Sequence, residues 1–127
     1  MPRYFVPKEA NETLVILRPM IREMMDIAER IRSHQPELWS VAQKSAGNGG
    51  NPALSKLIPD FDRLDLLLHQ IQDVGIEVKD LTIGLVDFPA LHEDRIVYLC
   101  WKYGEECVQF WHELEAGFAG RQQIDWD

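Results

Sequence analysis

Two cysteines in 127 residues, with no Cys-x-x-Cys and no paired-histidine motif, exclude a disulfide-stapled scaffold and the usual zinc-finger ligand sets. No run approaches the roughly 20 apolar residues that a membrane span requires. The opening Met1-Pro2-Arg3-Tyr4-Phe5 lacks the apolar stretch of a secretory leader, so the chain reads as cytoplasmic, with no membrane partner. Basic residues are also scarce, 13 against 21 acidic ones, for a net charge of −8. That balance argues against binding nucleic-acid phosphate or anionic lipid, both of which depend on Lys and Arg. The deficit is concentrated at the end of the chain, where Arg121 is the one basic residue among residues 104–127. An acidic end of this kind serves solubility, a cation site or a docking face for a basic partner.

What is present fits one domain spanning 1–127, large enough to bury a core unaided. Leu14, Leu17, Ile21, Met24, Ala28 and Ile31 recur at spacings of three and four, and so do Leu54, Leu57, Phe61, Leu64, Leu68 and Ile71. Each set draws one apolar stripe down a helix. Two stripes of equal span in matching phase predict an antiparallel helical hairpin over about 8–74. Ile16, Met20, Ile27, Ile58 and Leu67 widen the stripes, toward the sheet or a second copy of the chain. Arg22, Asp26 and Arg30 are spaced to pair along a solvent face. Pro19 predicts a kink, or a break and restart at 18. Pro36 ends the first helix near Ser33 to Gln35, or opens a further turn through Leu38 and Val41. Residues 45–52, Ser-Ala-Gly-Asn-Gly-Gly-Asn-Pro, read as a flexible connection; a phosphate cradle would need a preceding strand and a following Lys-Ser/Thr. Val74-Gly75-Ile76 is the signature of a left-handed helix C-cap.

The pattern then becomes β, over about 76–115. Ile76–Leu81 and Leu85–Phe88 are short strands, the second closed by Pro89. Glu93-Asp94 is a turn. Arg95–Trp101 is the strongest strand in the chain. Lys102–Glu105 is a tight turn and 106–112 the returning strand. Residues 116–127 read as an irregular tail. The fold class is therefore α+β, a helical hairpin packed on a small antiparallel sheet.

Centring the last hairpin on Tyr103-Gly104 pairs Leu99 with Val108 and Val97 with Phe110, and assigns those four to the core. The same register sets Cys100 opposite Cys107. Two thiols so placed are either packed and reduced or a strained, redox-labile disulfide. Two cysteines alone do not make a metal site. A second cluster is His112-Glu113-Leu114-Glu115, with Asp87, His92 and Glu93 nearby in the chain. Imidazole with carboxylates can hold a divalent metal ion or move a proton, which makes His112, Asp87 and Glu113 the metal-ligand candidates. A third feature is aromatic: Tyr98, Trp101, Tyr103, Phe110, Trp111 and Phe118 suit core and dimer packing, or a groove formed by Tyr98, Trp101 and Trp111. The sheet face bearing Ile96, Tyr98 and Trp111 needs a cover, and a second subunit would supply it.

Several segments resemble one family. They are Gly75–Leu81, Gly84–Leu91, Val97–Trp101, Gly104-Glu105, Trp111-His112-Glu113 and Gly117–Arg121, together with Tyr4-Phe5 and Glu9-Ala10-Asn11. They are similar to the family known as domain of unknown function 2203 (DUF2203), over most of the chain and most specifically in its second half. The resemblance implies a small prokaryotic protein and carries over no reaction and no catalytic residues. It marks Lys79, Asp80, Asp87, Glu105, His112, Glu113 and Arg121 as a polar signature, either a site around Trp101 and Trp111 or a salt-bridged network that fixes the turns.

The residues name no reaction. The leading expectation is a binding or assembly protein without recognisable catalytic machinery, homodimeric through its helices or outer sheet face. The alternative is a metal-dependent or acid–base enzyme that uses His112 with Asp87, Glu105 or Glu113. A redox switch at Cys100 and Cys107 comes third.

Overall fold

The computed structural model describes residues 3–34 and 52–127. The connection at 45–51 and the further turn through Leu38 and Val41 lie outside the described residues, as does the side chain of Leu54. Among the described residues two helices, α1 (Pro7–Ser33) and α2 (Pro52–Asp73), precede five strands: β1 (Glu77–Asp80), β2 (Leu85–His92), β3 (Arg95–Lys102), β4 (Phe110–Glu113) and β5 (Gln122–Gln123). The strands form an antiparallel meander in chain order, with a short 3₁₀ turn at Phe118–Gly120 before β5.

Helix α1 starts where Pro7 presets its first turn and the Glu9 carboxylate accepts the Val6 N–H at 3.2 Å. It runs through Pro19 as one helix of 27 residues, which overturns the second of the two expectations there, a break and restart at 18. Pro19 is exposed, while Leu14 and Leu17 before it and Ile21 and Met24 after it are all buried. Burial of that stripe outweighs the ~3 kcal/mol an interior proline costs. Helix α2 ends as expected. Gly75 adopts φ +92°, Ile76 N–H reaches Ile71 O at 3.3 Å, and Gly75 N–H reaches Gln72 O at 2.9 Å. These are the two bonds of a Schellman cap.

The helices lie antiparallel, since Arg30 pairs with Asp60 at 2.8 Å and Arg63 with Glu23 at 2.6 Å. Arg22 reaches Asp26 at 3.5 Å, but Arg30 crosses to the other helix instead of extending that row. Of the residues that widen the stripes, Ile27 and Leu67 enter the core, whereas Ile16 and Ile58 stay exposed.

Hydrophobic side chains of both helices pack on one face of the sheet, made by Val86, Phe88, Ala90, Val97, Leu99, Trp101 and Trp111. Strand β2 continues past Pro89 to His92 instead of stopping there. The Pro89 carbonyl accepts from Phe5 N–H at 2.7 Å, on the side where β1 has already ended. In an antiparallel strand the nitrogen of a residue points the same way as its carbonyl. The donor that Pro89 lacks therefore has no ladder partner to disappoint. Glu93 and Asp94, at φ 51° and 62°, make the two-residue β2–β3 turn, a primed geometry matched to strand twist. Gly84 is required as glycine: at φ +66° an added Cβ would lie 2.6 Å from Tyr103 Cβ and 2.8 Å from Met25 Sδ.

The last hairpin departs most from expectation. Glu105 N–H does close on Lys102 O at 3.0 Å, with Gly104 at φ +100°. The chain then fails to return along β3 at once. Trp101 Nε1 donates to Glu105 O at 3.0 Å, and the Glu105 carboxylate accepts from Lys102 N–H at 2.7 Å. Val108 bonds to α1 instead of β3: Asn11 Oδ1 accepts its N–H at 2.6 Å and Asn11 Nδ2 donates to its carbonyl at 3.2 Å. The side-chain amide thus takes the place of a neighbouring strand. Leu99 consequently faces Trp111 instead of Val108, and Val97 faces Glu113 instead of Phe110. A slip of three residues is odd, so the faces exchange. Trp111 turns inward and is buried, Phe110 turns outward and is half-buried, and Cys100 lies opposite Phe110, far from any pairing with Cys107.

Candidate metal centre

The outer face of the sheet carries the polar residues. Alternation places Asp87 on β2, Tyr98 and Cys100 on β3, and Phe110 and His112 on β4 away from the helices. Asp87 sits directly opposite Cys100 and Tyr98 directly opposite His112. The three chemistry-bearing side chains are almost fully inaccessible: Cys100 is 0%, His112 2% and Asp87 3% exposed. One ligand atom from each lies within 4.8 Å of those of the other two.

His112 is held at both nitrogens. Nδ1 contacts the Glu113 carbonyl at 2.8 Å and Nε2 contacts Asp87 Oδ1 at 3.1 Å. A carbonyl oxygen only accepts, so Nδ1 carries a proton. In a neutral ring Nε2 then presents a lone pair to the carboxylate. Two lone pairs do not rest 3.1 Å apart without a positive centre between them, which is either a second proton or a metal ion. Tyr98 packs its ring against His112 at a centroid distance of 5.5 Å and donates its hydroxyl to Glu77 at 2.8 Å. Lys79 bonds the same Glu77 carboxylate at 2.8 Å and lies over the Tyr98 ring.

Burial raises the Asp87 pKa above the ordinary carboxylate value, against the pull of His112. Burial, reinforced by Asp87, pushes the Cys100 thiol up to about 12. A thiol so placed is not a nucleophile at neutral pH unless a cation displaces its proton. Burial also acts to raise Glu77, but the bonds from Lys79 and Tyr98 outweigh it and hold that carboxylate low.

The other signature residues are placed elsewhere. The Glu113 carboxylate makes a two-point contact with Arg95 at 2.9 and 2.6 Å, on the opposite face from His112, so it is no ligand of the cluster. Glu105 pairs with Arg121 at 2.7 Å. Arg121 also reaches the Cys100 carbonyl at 3.4 Å and stacks on Phe110. Asp80 caps the following turn by accepting Thr82 N–H at 2.8 Å. The sheet separates the aromatic trio, with Tyr98 outside and Trp101 and Trp111 inside, so they share no groove. Both cysteines are free thiols, Cys100 buried and Cys107 exposed.

The expectation of a protein without recognisable catalytic machinery is overturned by this cluster, because a buried His, Asp and Cys converge with metal-ligand spacing. Sequence reading had already joined His112 to Asp87 but assigned Cys100 to Cys107. The alternation along β3 held the missing signal, since Cys100 and Tyr98 share a face.

No helix among the described residues is long and apolar enough to cross a membrane. A family model described as "Uncharacterized conserved protein (DUF2203)" matches residues 3–124. Neither a curated protein nor a solved structure matches the chain.

Proposed function

The chain belongs to the DUF2203 family, and we propose that Asp87, Cys100 and His112 hold a divalent transition-metal ion that acts as a Lewis acid. The observation that carries this reading is the approach of His112 Nε2 to Asp87 Oδ1 at 3.1 Å while Nδ1 is committed to a carbonyl. A cation between the two resolves the lone-pair conflict. The spacing also suits one. Zinc bonds of about 2.0–2.3 Å put neighbouring atoms of a tetrahedron roughly 3.3–3.6 Å apart, so small shifts admit the ion.

One nitrogen, one oxygen and one sulfur donor select zinc and its first-row neighbours over magnesium or calcium, which take oxygen sets. Asp87, Cys100 and His112 would supply three protein ligands, the number found in catalytic zinc sites, where the metal lowers the pKa of a bound water to about 7. The protein's own part is to hold His112 by its second nitrogen through the Glu113 carbonyl, and to press Tyr98 against the ring. The reaction class such an ion would serve is metal-assisted hydrolysis or hydration.

A second reading rests on the same contact. Without an ion, His112 and Asp87 are an acid–base dyad sharing one proton, and Cys100 is a bystander. The two readings part at the thiol. Untagged protein in non-denaturing mass spectrometry should carry one zinc-class ion per chain. That ion should be lost in both His112→Ala and Cys100→Ala. A metal-free wild type would leave the dyad as the function, and Cys100→Ala would then be silent. The subunit count in the same spectrum tests the expected homodimer.

A further inference from the structure

A separate feature lies on the helix side, about as far from the outer face as the sheet allows. A concavity of about 400 Å³ opens between the first half of α1 and the end of α2. Phe5, Leu17, Ile71 and Ile76 form its floor and are at most 2% exposed, while Ile16 and Val74 form the rim at 68% and 44%. Arg3 is the one ionisable residue among those that line it. We propose that this groove binds a medium-chain alkyl carboxylate, with the chain on the apolar floor and the acid group on Arg3.

The volume lies within the range of small-molecule sites. Decanoate, a flexible ten-carbon member of the proposed class, serves as the probe. The lining is apolar apart from Arg3, Thr13 and Gln70, and the Thr13 hydroxyl is already spent on the Glu9 carbonyl at 2.8 Å. The ligand is therefore apolar over nearly all its length and polar at one end.

The charge of that end follows from Arg3. Its nearest carboxylate, Glu9, stands 3.8 Å away, beyond hydrogen-bond distance, and is tied by its other oxygen to the Val6 N–H. Arg3 lies over the Phe5 ring at 4.3 Å, which orients its planar fork at the mouth. A fork that keeps its donors is matched by a carboxylate. A second copy of the chain is the rival occupant. A two-fold dimer could fill each groove with a knob from its partner, but such a knob gives no account of the single cation at the mouth, and it would make occupancy depend on protein concentration.

The test is titration of the full chain with decanoate and, separately, 1-decanol, followed through the methyl signals of Ile16, Ile71, Val74 and Ile76. Decanoate should saturate and shift these methyls together. Arg3→Gln should weaken decanoate about tenfold or more, the value of a charge-assisted contact, and leave decanol unchanged. Arg3 is half exposed, so a thermal melt of Arg3→Gln should match the wild type and exclude misfolding as the cause. Val74→Asp should abolish both ligands. The proposal is overturned by no saturable decanoate binding, by Arg3→Gln binding decanoate as tightly as the wild type, or by the same methyls shifting with protein concentration alone, which would make a second copy the occupant.

Discussion

On the inner face of the sheet, Val86, Phe88, Ala90, Val97, Leu99 and Trp101 are each 0% exposed under the two helices. On the outer face, Asp87 of β2, Cys100 of β3 and His112 of β4 are at most 3% exposed. Burial is equal but its energetics are opposite. Apolar area removed from water stabilises by about 25 cal/mol per Å² without any partner. A buried carboxylate and imidazole stabilise nothing until each polar atom is matched, and an unmatched one costs several kcal/mol. The inner face therefore explains why the chain folds. The outer face needs a further reason to exist, and the proposed cation would supply one.

That contrast can be broken from the inner side first. Phe88 packs edge-on against Phe5 at 5.3 Å in the middle of the core. Phe88→Ala should lower unfolding free energy by about 3–5 kcal/mol in urea titration, with no loss of metal stoichiometry in whatever fraction remains folded. Next, adding zinc at 100- to 1000-fold over its dissociation constant should stabilise the wild type by about 3–4 kcal/mol, and chelation should reverse it. In His112→Ala the zinc increment should vanish. A wild type that melts identically with and without zinc would reduce the outer cluster to a shared-proton dyad.

A smaller effect sharpens the origin of the site. Asn11→Ala deletes both partners of the Val108 peptide and should cost about 1–3 kcal/mol by the same titration. Because that amide sets the β3–β4 register, the variant should also bind zinc more weakly. Unchanged affinity would mean that the register stands without it. The smallest effect belongs to Arg95. Its contacts with Glu113 and Glu93 raise its own pKa and lower that of Glu113, yet the groups are solvent-exposed and screened. Arg95→Ala should melt within experimental error of the wild type and retain its metal.

How far the residues announced this can be followed strand by strand. The α1 stripe, the Gly75 cap and the Glu93-Asp94 turn are local, each decided by a few neighbouring side chains, and all are legible; the α2 stripe is legible only in part, since Phe61 is exposed and Leu67 takes the core position. The pairing of His112 with Asp87 was read from residue chemistry, since the expected register put His112 on the core face with Val108 and Phe110. The register of β4 is not local. Tyr103-Gly104 has the form of a hairpin centre, and nothing within ten residues contradicts it. The contradiction comes from Asn11, which is 97 residues distant in the chain. One odd slip then exchanges Trp111 with His112 between faces, brings Cys100 beside His112 and removes it from Cys107. The continuity of α1 through Pro19 was hidden for a related reason, because the burial that overrides the proline is supplied by the sheet.

The Asn11 contact also bears on how the chain is made. A ribosome adding about 5–20 residues per second emits Asn11 some 5–20 seconds before Val108. Through that interval α1 has its apolar stripe ready and no sheet to lay it on. A nascent chain in this state offers a long hydrophobic helix to any chaperone near the exit tunnel. Slowing translation between residues 34 and 108 should therefore lower the soluble yield, whereas the same pause after residue 108 should leave it unchanged.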